Sequence, residues 1–153
     1  MAGLRIIVPF TATTGTVTQT LVQIVAPTNQ RLSILRIFIG GVSGNAADLP
    51  VLMEVLPQTS AGTSSAVTPV KVNDSDDETV QTTARQGFSS TEPTDAGGAI
   101  VKHTFPVPTT GPGRDFVFPP GRELFVKGGT RMGIRANTPG QVSVFKGFIE
   151  LEE

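Results

Sequence analysis

The chain has no cysteine, no tryptophan and no tyrosine, and a single histidine among its 153 residues. Without thiols it can form no disulfide, no thiolate zinc site and no cysteine nucleophile. One imidazole, His103, cannot supply the two or three histidines that metal-bearing β enzymes gather. The missing Trp and Tyr remove the usual platform for stacking sugars. Nine Phe carry all the aromatic surface, a distribution that fits a core better than a carbohydrate groove. An excess of either charge is also lacking: twelve Lys and Arg stand against thirteen Asp and Glu, a net charge of −1. Nucleic-acid affinity needs a concentrated positive field, so no nucleic-acid partner is expected. No apolar run reaches the length of a membrane span, since the longest, 34–39, is interrupted by Arg36. No membrane partner is expected either. The opening MAGLRIIVPF has one Arg and a short apolar run with a proline inside it, without the long apolar stretch of a signal peptide. The expectation is a chain made and kept inside a cell, or released from one by lysis.

What is present reads as strand. Seventeen glycines and twelve prolines are spread along the chain, which suits many short elements joined by turns. The segments 4–10, 19–25, 31–39, 51–56, 66–72, 99–107, 115–118, 123–126, 131–136 and 141–151 are rich in Val, Ile, Phe and Thr. Each is bounded by Gly, Pro, Asn or Asp. In RLSILRIFIGG the apolar phase runs Leu32, Ile34, then Leu35, Ile37, Ile39, with Phe38 on the face of Leu32 and Ile34. A run apolar on both faces is a covered central strand, or one that bulges and changes sheet. In QVSVFKGFIELEE, Val142, Val144 and Phe148 share one face and Phe145, Ile149 and Leu151 the other, with Gly147 suited to a bulge or close backbone approach. The best helix candidate, DSDDETVQTTARQ, has Val80 as its one large apolar side chain, so it has little to bury and reads as loop with at most a helical turn. Such a chain is expected to be all-β, a two-sheet β-sandwich of jelly-roll type with about eight to ten strands. Residues 1–18 form an N-terminal arm or a first strand, and 19–153 a single jelly-roll domain with a long loop at 73–98.

Few residues offer chemistry. Asp74, Asp76 and Glu78 have the i, i+2, i+4 spacing by which calcium loops present oxygens. They lack the central glycine and distal Glu of the full pattern, so they are a weak metal candidate and a solvated acidic turn is the plainer reading. No serine sits in a G-x-S-x-G elbow, and His103 reads as an ordinary strand side chain. Glu54, Glu123 and Glu150 lie on expected strands, but no sequence relation pairs them for glycoside hydrolysis. The glycines of TTGPGRDFVFPPGRELFVKGG mark turns, with no phosphate-binding spacing ahead of a helix. Arg114 and Arg122 there are expected to pair with Asp115 and Glu123 or to face a partner. No catalytic residue and no cofactor is expected, and the chain does not read as an enzyme.

Two stretches carry a resemblance. The first is PVLMEVLPQTSAGTSSAVTPVKV, where a strand leads through Q-T-x-A-G-T to T-P-V-K. The second is PPGRELFVKGGTRMGIRANTPGQVSVFKGFIELEE, with P-x-G-x-E, then G-G-x-R-x-G-I-R, then a terminal strand ending in acids. Together they resemble small virion proteins of tailed bacteriophages and prophages, and among these the jelly-roll head decoration (cement) proteins. The resemblance implies a structural protein on the outer surface of the capsid, assembled in the host cytoplasm, that binds the major capsid protein and stabilises its lattice. It implies a homotrimer, with an N-terminal segment able to add to a neighbour's sheet. Leu4, Ile6, Val8 and Phe10 are then interface candidates. Ala61 and Gly62, in the small-residue crossing of the first stretch, are candidates for a tightly packed subunit boundary. The alternative is a β-sandwich module of a phage tail, recognising the host or a carbohydrate. The long 73–98 loop favours it and the missing Trp and Tyr count against it.

Overall fold

The computed structural model describes residues 3–43, 50–98 and 100–153, and every regular element among them is a strand. β1 (Arg5–Thr14) buries Ile6, Val8, Phe10, Ala12 and Thr14 and turns the residues between them outward, the period-two pattern of a half-buried strand. It pairs antiparallel with β12 (Ser143–Glu152) from Arg5 opposite Glu152 to Thr14 opposite Ser143. Within this chain, 5–14 therefore belong to its own sheet.

The first sheet runs β10 (Leu124–Val126), β3 (Leu32–Ser43), β12, β1, β6 (Val70–Lys71), and β9 (Arg114–Val117) also pairs with β3. The second runs β5 (Ser65–Val67), β7 (Thr83–Gln86), β2 (Gln19–Val25), β11 (Arg131–Asn137), β4 (Val51–Gln58), β8 (His103–Val107). The chain changes sheet at most of its connections, and the two sheets close face to face as a β-sandwich. Between them lie Ile6, Leu21, Ile24, Leu32, Ile34, Ile37, Ile39, Met53, Ile134, Phe145 and Ile149, all essentially without solvent contact. Each such side chain contributes roughly 1.5–3 kcal/mol, so a one-residue slip that turned a strand over would be costly.

The two-faced run of β3 has a local cause. Its register against β12 shifts between Glu150 and Leu151, which face Arg36 and Ile34, so Leu35 is the extra residue of a bulge. Leu32 and Ile34 point into the core before it, and Ile37 and Ile39 after it. On β12, Phe145, Ile149 and Leu151 point inward, while Phe148 stacks outside on Phe38 with ring centroids 5.6 Å apart. Gly147 is where backbones approach closely: a Cβ there would lie 2.0 Å from the Phe38 carbonyl oxygen.

Twelve strands among the described residues replace the ten expected segments for two reasons. The expected strand 66–72 is divided at Thr68-Pro69, leaving β5 in one sheet and β6 in the other. The expected loop 73–98 contains β7, paired with β2 on one side and β5 on the other. No helix long and apolar enough to cross a membrane occurs among the described residues.

Candidate functional site

The outer face of the second sheet is roofed by the chain itself. Segments 57–63 and 89–96 run side by side. Thr59 N–H donates to the Thr94 carbonyl at 2.7 Å, Thr63 N–H to Thr91 at 2.7 Å and Ala96 N–H to Pro57 at 3.1 Å. Beneath them, outward-pointing polar side chains are buried and joined. Gln23 Nε2 donates to Gln58 Oε1 at 2.7 Å and to the Ser60 carbonyl at 2.8 Å, and Gln58 Nε2 donates to Thr20 Oγ1 at 3.1 Å. Glu92 reaches down from the roof and accepts from Thr20 N–H at 2.7 Å. Gly133 on β11 leaves the space for this: a Cβ there would lie 2.2 Å from Gln58 Oε1. Every member has a partner, which removes most of the cost of burying amides and hydroxyls.

Next to that network is a charged one. Arg135 donates through Nε to Glu54 Oε2 at 2.7 Å and through an NH group to Asp95 Oδ2, and Asn137 Nδ2 donates to Glu54 Oε1 at 3.1 Å. Burial works against the Arg135 charge. The Glu54 hydrogen bond and the Asp95 carboxylate outweigh it and hold the guanidinium pKa above its ordinary value. Glu54 and Asp95 are thus held by one guanidinium in a structural ion pair.

The small residues of 59–64 follow from this roof. Gly62 has φ +57°, and a Cβ on it would meet the Thr91 carbonyl oxygen at 2.4 Å. The close fit that demands glycine is made inside the chain, and Ala61 beside it is half-buried in the same crossing. A subunit boundary is not needed to explain either. The other interface candidates lie on and just ahead of β1. Leu4, Ile6, Val8 and Phe10 are buried within the chain, and Arg5, Ile7, Pro9 and Thr11 alternate with them on the outer side of β1.

Asp74, Asp76 and Glu78 do not converge. Asn73 Oδ1 accepts from Ser75 N–H at 3.1 Å, Asn73 Nδ2 donates to Asp76 Oδ1 at 3.2 Å, and Lys71 Nζ donates to the Asp76 carbonyl. This is an Asx-type turn. Among the described residues no group of three or more His, Asp or Glu is placed to hold a metal ion.

Among the described residues no segment roofs the outer face of the first sheet in the same way. Phe38 and Phe148 stack there, and the Arg36 guanidinium carbon lies 5.2 Å from the Phe148 ring centre. Arg36 also forms a two-pronged pair with Asp115, at 2.7 and 2.6 Å. The hydrogen bond from Arg36 lowers the Asp115 pKa, and the same bond raises that of Arg36. Asp115 therefore pairs across strands with Arg36, while its neighbour Arg114 donates to the Pro106 carbonyl at 3.3 Å.

His103, on the edge strand β8, packs among Phe105, Phe116 and Phe118, with ring centroids 5.4, 4.1 and 5.3 Å away. Burial lowers its pKa, and its Nε2 has no protein partner. Among the described residues no serine or carboxylate is recorded in a hydrogen bond with its ring. Comparison of the chain with protein-family models, with curated proteins and with solved structures returned no match.

Proposed function

We propose that this chain is a structural virion protein, a decoration (cement) protein that binds the outer surface of a phage head as a homotrimer and stabilises the major capsid protein lattice. The reading starts from the resemblance of 50–72 and 119–153. It is supported by where chemistry-bearing groups go. Glu54 and Asp95 share Arg135, Asp115 is held by Arg36, and His103 sits among phenyl rings. The observation that carries it furthest is the contrast of surfaces: one sheet is roofed by the chain, while the outer face of the other carries a half-buried ring stack beside a partly exposed ion pair. Such a body suits adhesion to a large lattice better than turnover of a small substrate.

The rival reading, a host- or carbohydrate-recognition module of a tail, was favoured by a long free loop at 73–98. That segment is tied down by β7, by the roof contacts, and by the Glu153 carboxylate, which accepts from the N–H groups of Gln81 and Thr82 at 2.7 and 2.9 Å. The test mixes purified protein with empty expanded capsids and, separately, with host cell envelopes. Co-sedimentation with capsids is expected; sedimentation with envelopes alone sinks the cement reading.

A further inference from the structure

One row of residues crosses the first sheet from edge to edge. Val72 N–H donates to the Arg5 carbonyl at 2.9 Å, Arg5 stands opposite Glu152, Glu152 opposite Ser33, and Ser33 opposite Phe125. Four strand spacings of about 4.8 Å separate its ends. At one end the chain enters the acidic turn 73–78. Asp74, Asp77 and Glu78 are exposed there and form no ion pair among the described residues. Val70 and Val72, just ahead of the turn, are about half exposed at 48% and 47%.

At the other end lies a complementary surface. Pro57, Phe125 and Met132 line an open groove of about 270 Å³, and Lys102, Lys127 and Arg131 rim it without any carboxylate. None of these cations forms an ion pair among the described residues. Arg31 adds a fourth, with its guanidinium carbon 4.5 Å from the Phe125 ring centre. Lys102 and Lys127 are exposed, so the groove presents an apolar floor together with positive charge that has no ion-pair partner among the described residues.

We infer that copies of this chain join head to tail, the turn 73–78 of one protomer with Val70 and Val72 seating in the cationic groove of the next. This rests on the self-association proposed above and assigns it a surface. The occupant follows from complementarity in kind and in level: apolar and anionic on one edge, apolar and cationic on the opposite edge, at the same height along the strands. A two-fold contact would set turn against turn. Rotation about an axis along the strands sets edge against opposite edge, which is the heterologous contact that closes rings. Unpaired opposite charges at the rim also steer the encounter and repel wrong orientations.

The test is multi-angle light scattering of the full chain in four forms. The first is the wild type. The second carries Asp74→Lys, Asp77→Lys and Glu78→Lys, and the third Arg31→Glu, Lys102→Glu and Lys127→Glu. The fourth combines both sets. All six sites are exposed, and unchanged far-UV circular dichroism verifies the fold of each form. Wild type is expected at the mass of three chains, and each single reversal at the 16.0 kDa of one, a threefold fall. The combined form regains the wild-type mass, because a basic turn then meets an acidic groove. Reversals that keep the wild-type mass, or a combined form that stays single, overturn this interface alone. A monomeric wild type removes the self-association reading with it.

Discussion

The two outer faces of this sandwich are built from similar strands and put to opposite use. On the second sheet, Thr20, Gln23, Glu54, Leu56 and Gln58 point away from the core and are nevertheless buried, where 59–63 and 89–96 reach over the sheet. On the first sheet, Phe38 and Phe148 point away from the core and stay partly open to water. Burial here is decided by where the chain returns, not by the hydropathy of the strand. The same ion-pair chemistry has different weight on the two faces. Side chains of Arg135 and Glu54 are 22% and 12% exposed, against 37% and 42% for Arg36 and Asp115.

The largest difference is expected from removing one guanidinium on each face. Arg135→Met leaves Glu54 and Asp95 without their cation under the roof, and uncompensated buried charge costs about 3 kcal/mol. Arg36→Met removes a surface pair that solvent screens, so a much smaller shift is expected. Urea midpoints of the two variants check this. Equal shifts would mean that the roof does not exclude water and that the faces are energetically alike.

A second contrast uses volume. Gly133→Ala places a Cβ into the Gln58 amide and forces the Gln23–Gln58–Thr20 network to move, at a cost of about 2 kcal/mol by analogy with overpacked cores. Phe148→Leu on the open face loses a ring stack that contributes about 1 kcal/mol. Thermal unfolding that ranks Phe148→Leu as the more damaging would reverse the assignment of the roofed face as the stiff one. Gly62→Leu, in contrast, cannot report on an interface: its clash with Thr91 is inside the chain, so lost assembly there reads lost folding.

Much of this architecture is legible in the residues. β-branched alternation places β1, β2, β4, β11 and β12, while the two-faced apolar run from Leu32 to Ile39 leaves a covered strand and a bulged one both open, and the pairing with β12 decides for the bulge. The roof is not legible. Gln, Thr, Ser and Gly look the same in a solvated loop and in a packed crossing, and only the contacts of 89–96, distant in sequence, separate the two. β7 escaped for a related reason. Ala84 is its one fully buried side chain, so it is a strand by backbone pairing between β2 and β5, with almost no hydrophobic signature. On β1, an apolar face at period two is the same whether its partner is the chain's own core or a neighbour's sheet.

The smallest effect belongs to the rim between the sheets, where His103 stands. Burial lowers its folded pKa below the unfolded value near 6.5. Between those two values the unfolded chain binds the proton and the folded chain does not, so stability rises with pH through that window. Acidifying from neutrality is therefore expected to lower the midpoint of unfolding slightly once pH falls below about 6.5, and to level off below the folded pKa. Asp115, held low by Arg36, acts in a separate and more acidic window: its stabilisation is present above the unfolded carboxylate pKa and fades as pH drops through the folded one. His103 is the only histidine, so the slope between pH 5 and 7 is diagnostic. His103→Leu removes that slope if the imidazole among Phe105, Phe116 and Phe118 is its source. A slope that survives the substitution places its origin in the carboxylates and leaves the aromatic rim neutral to pH.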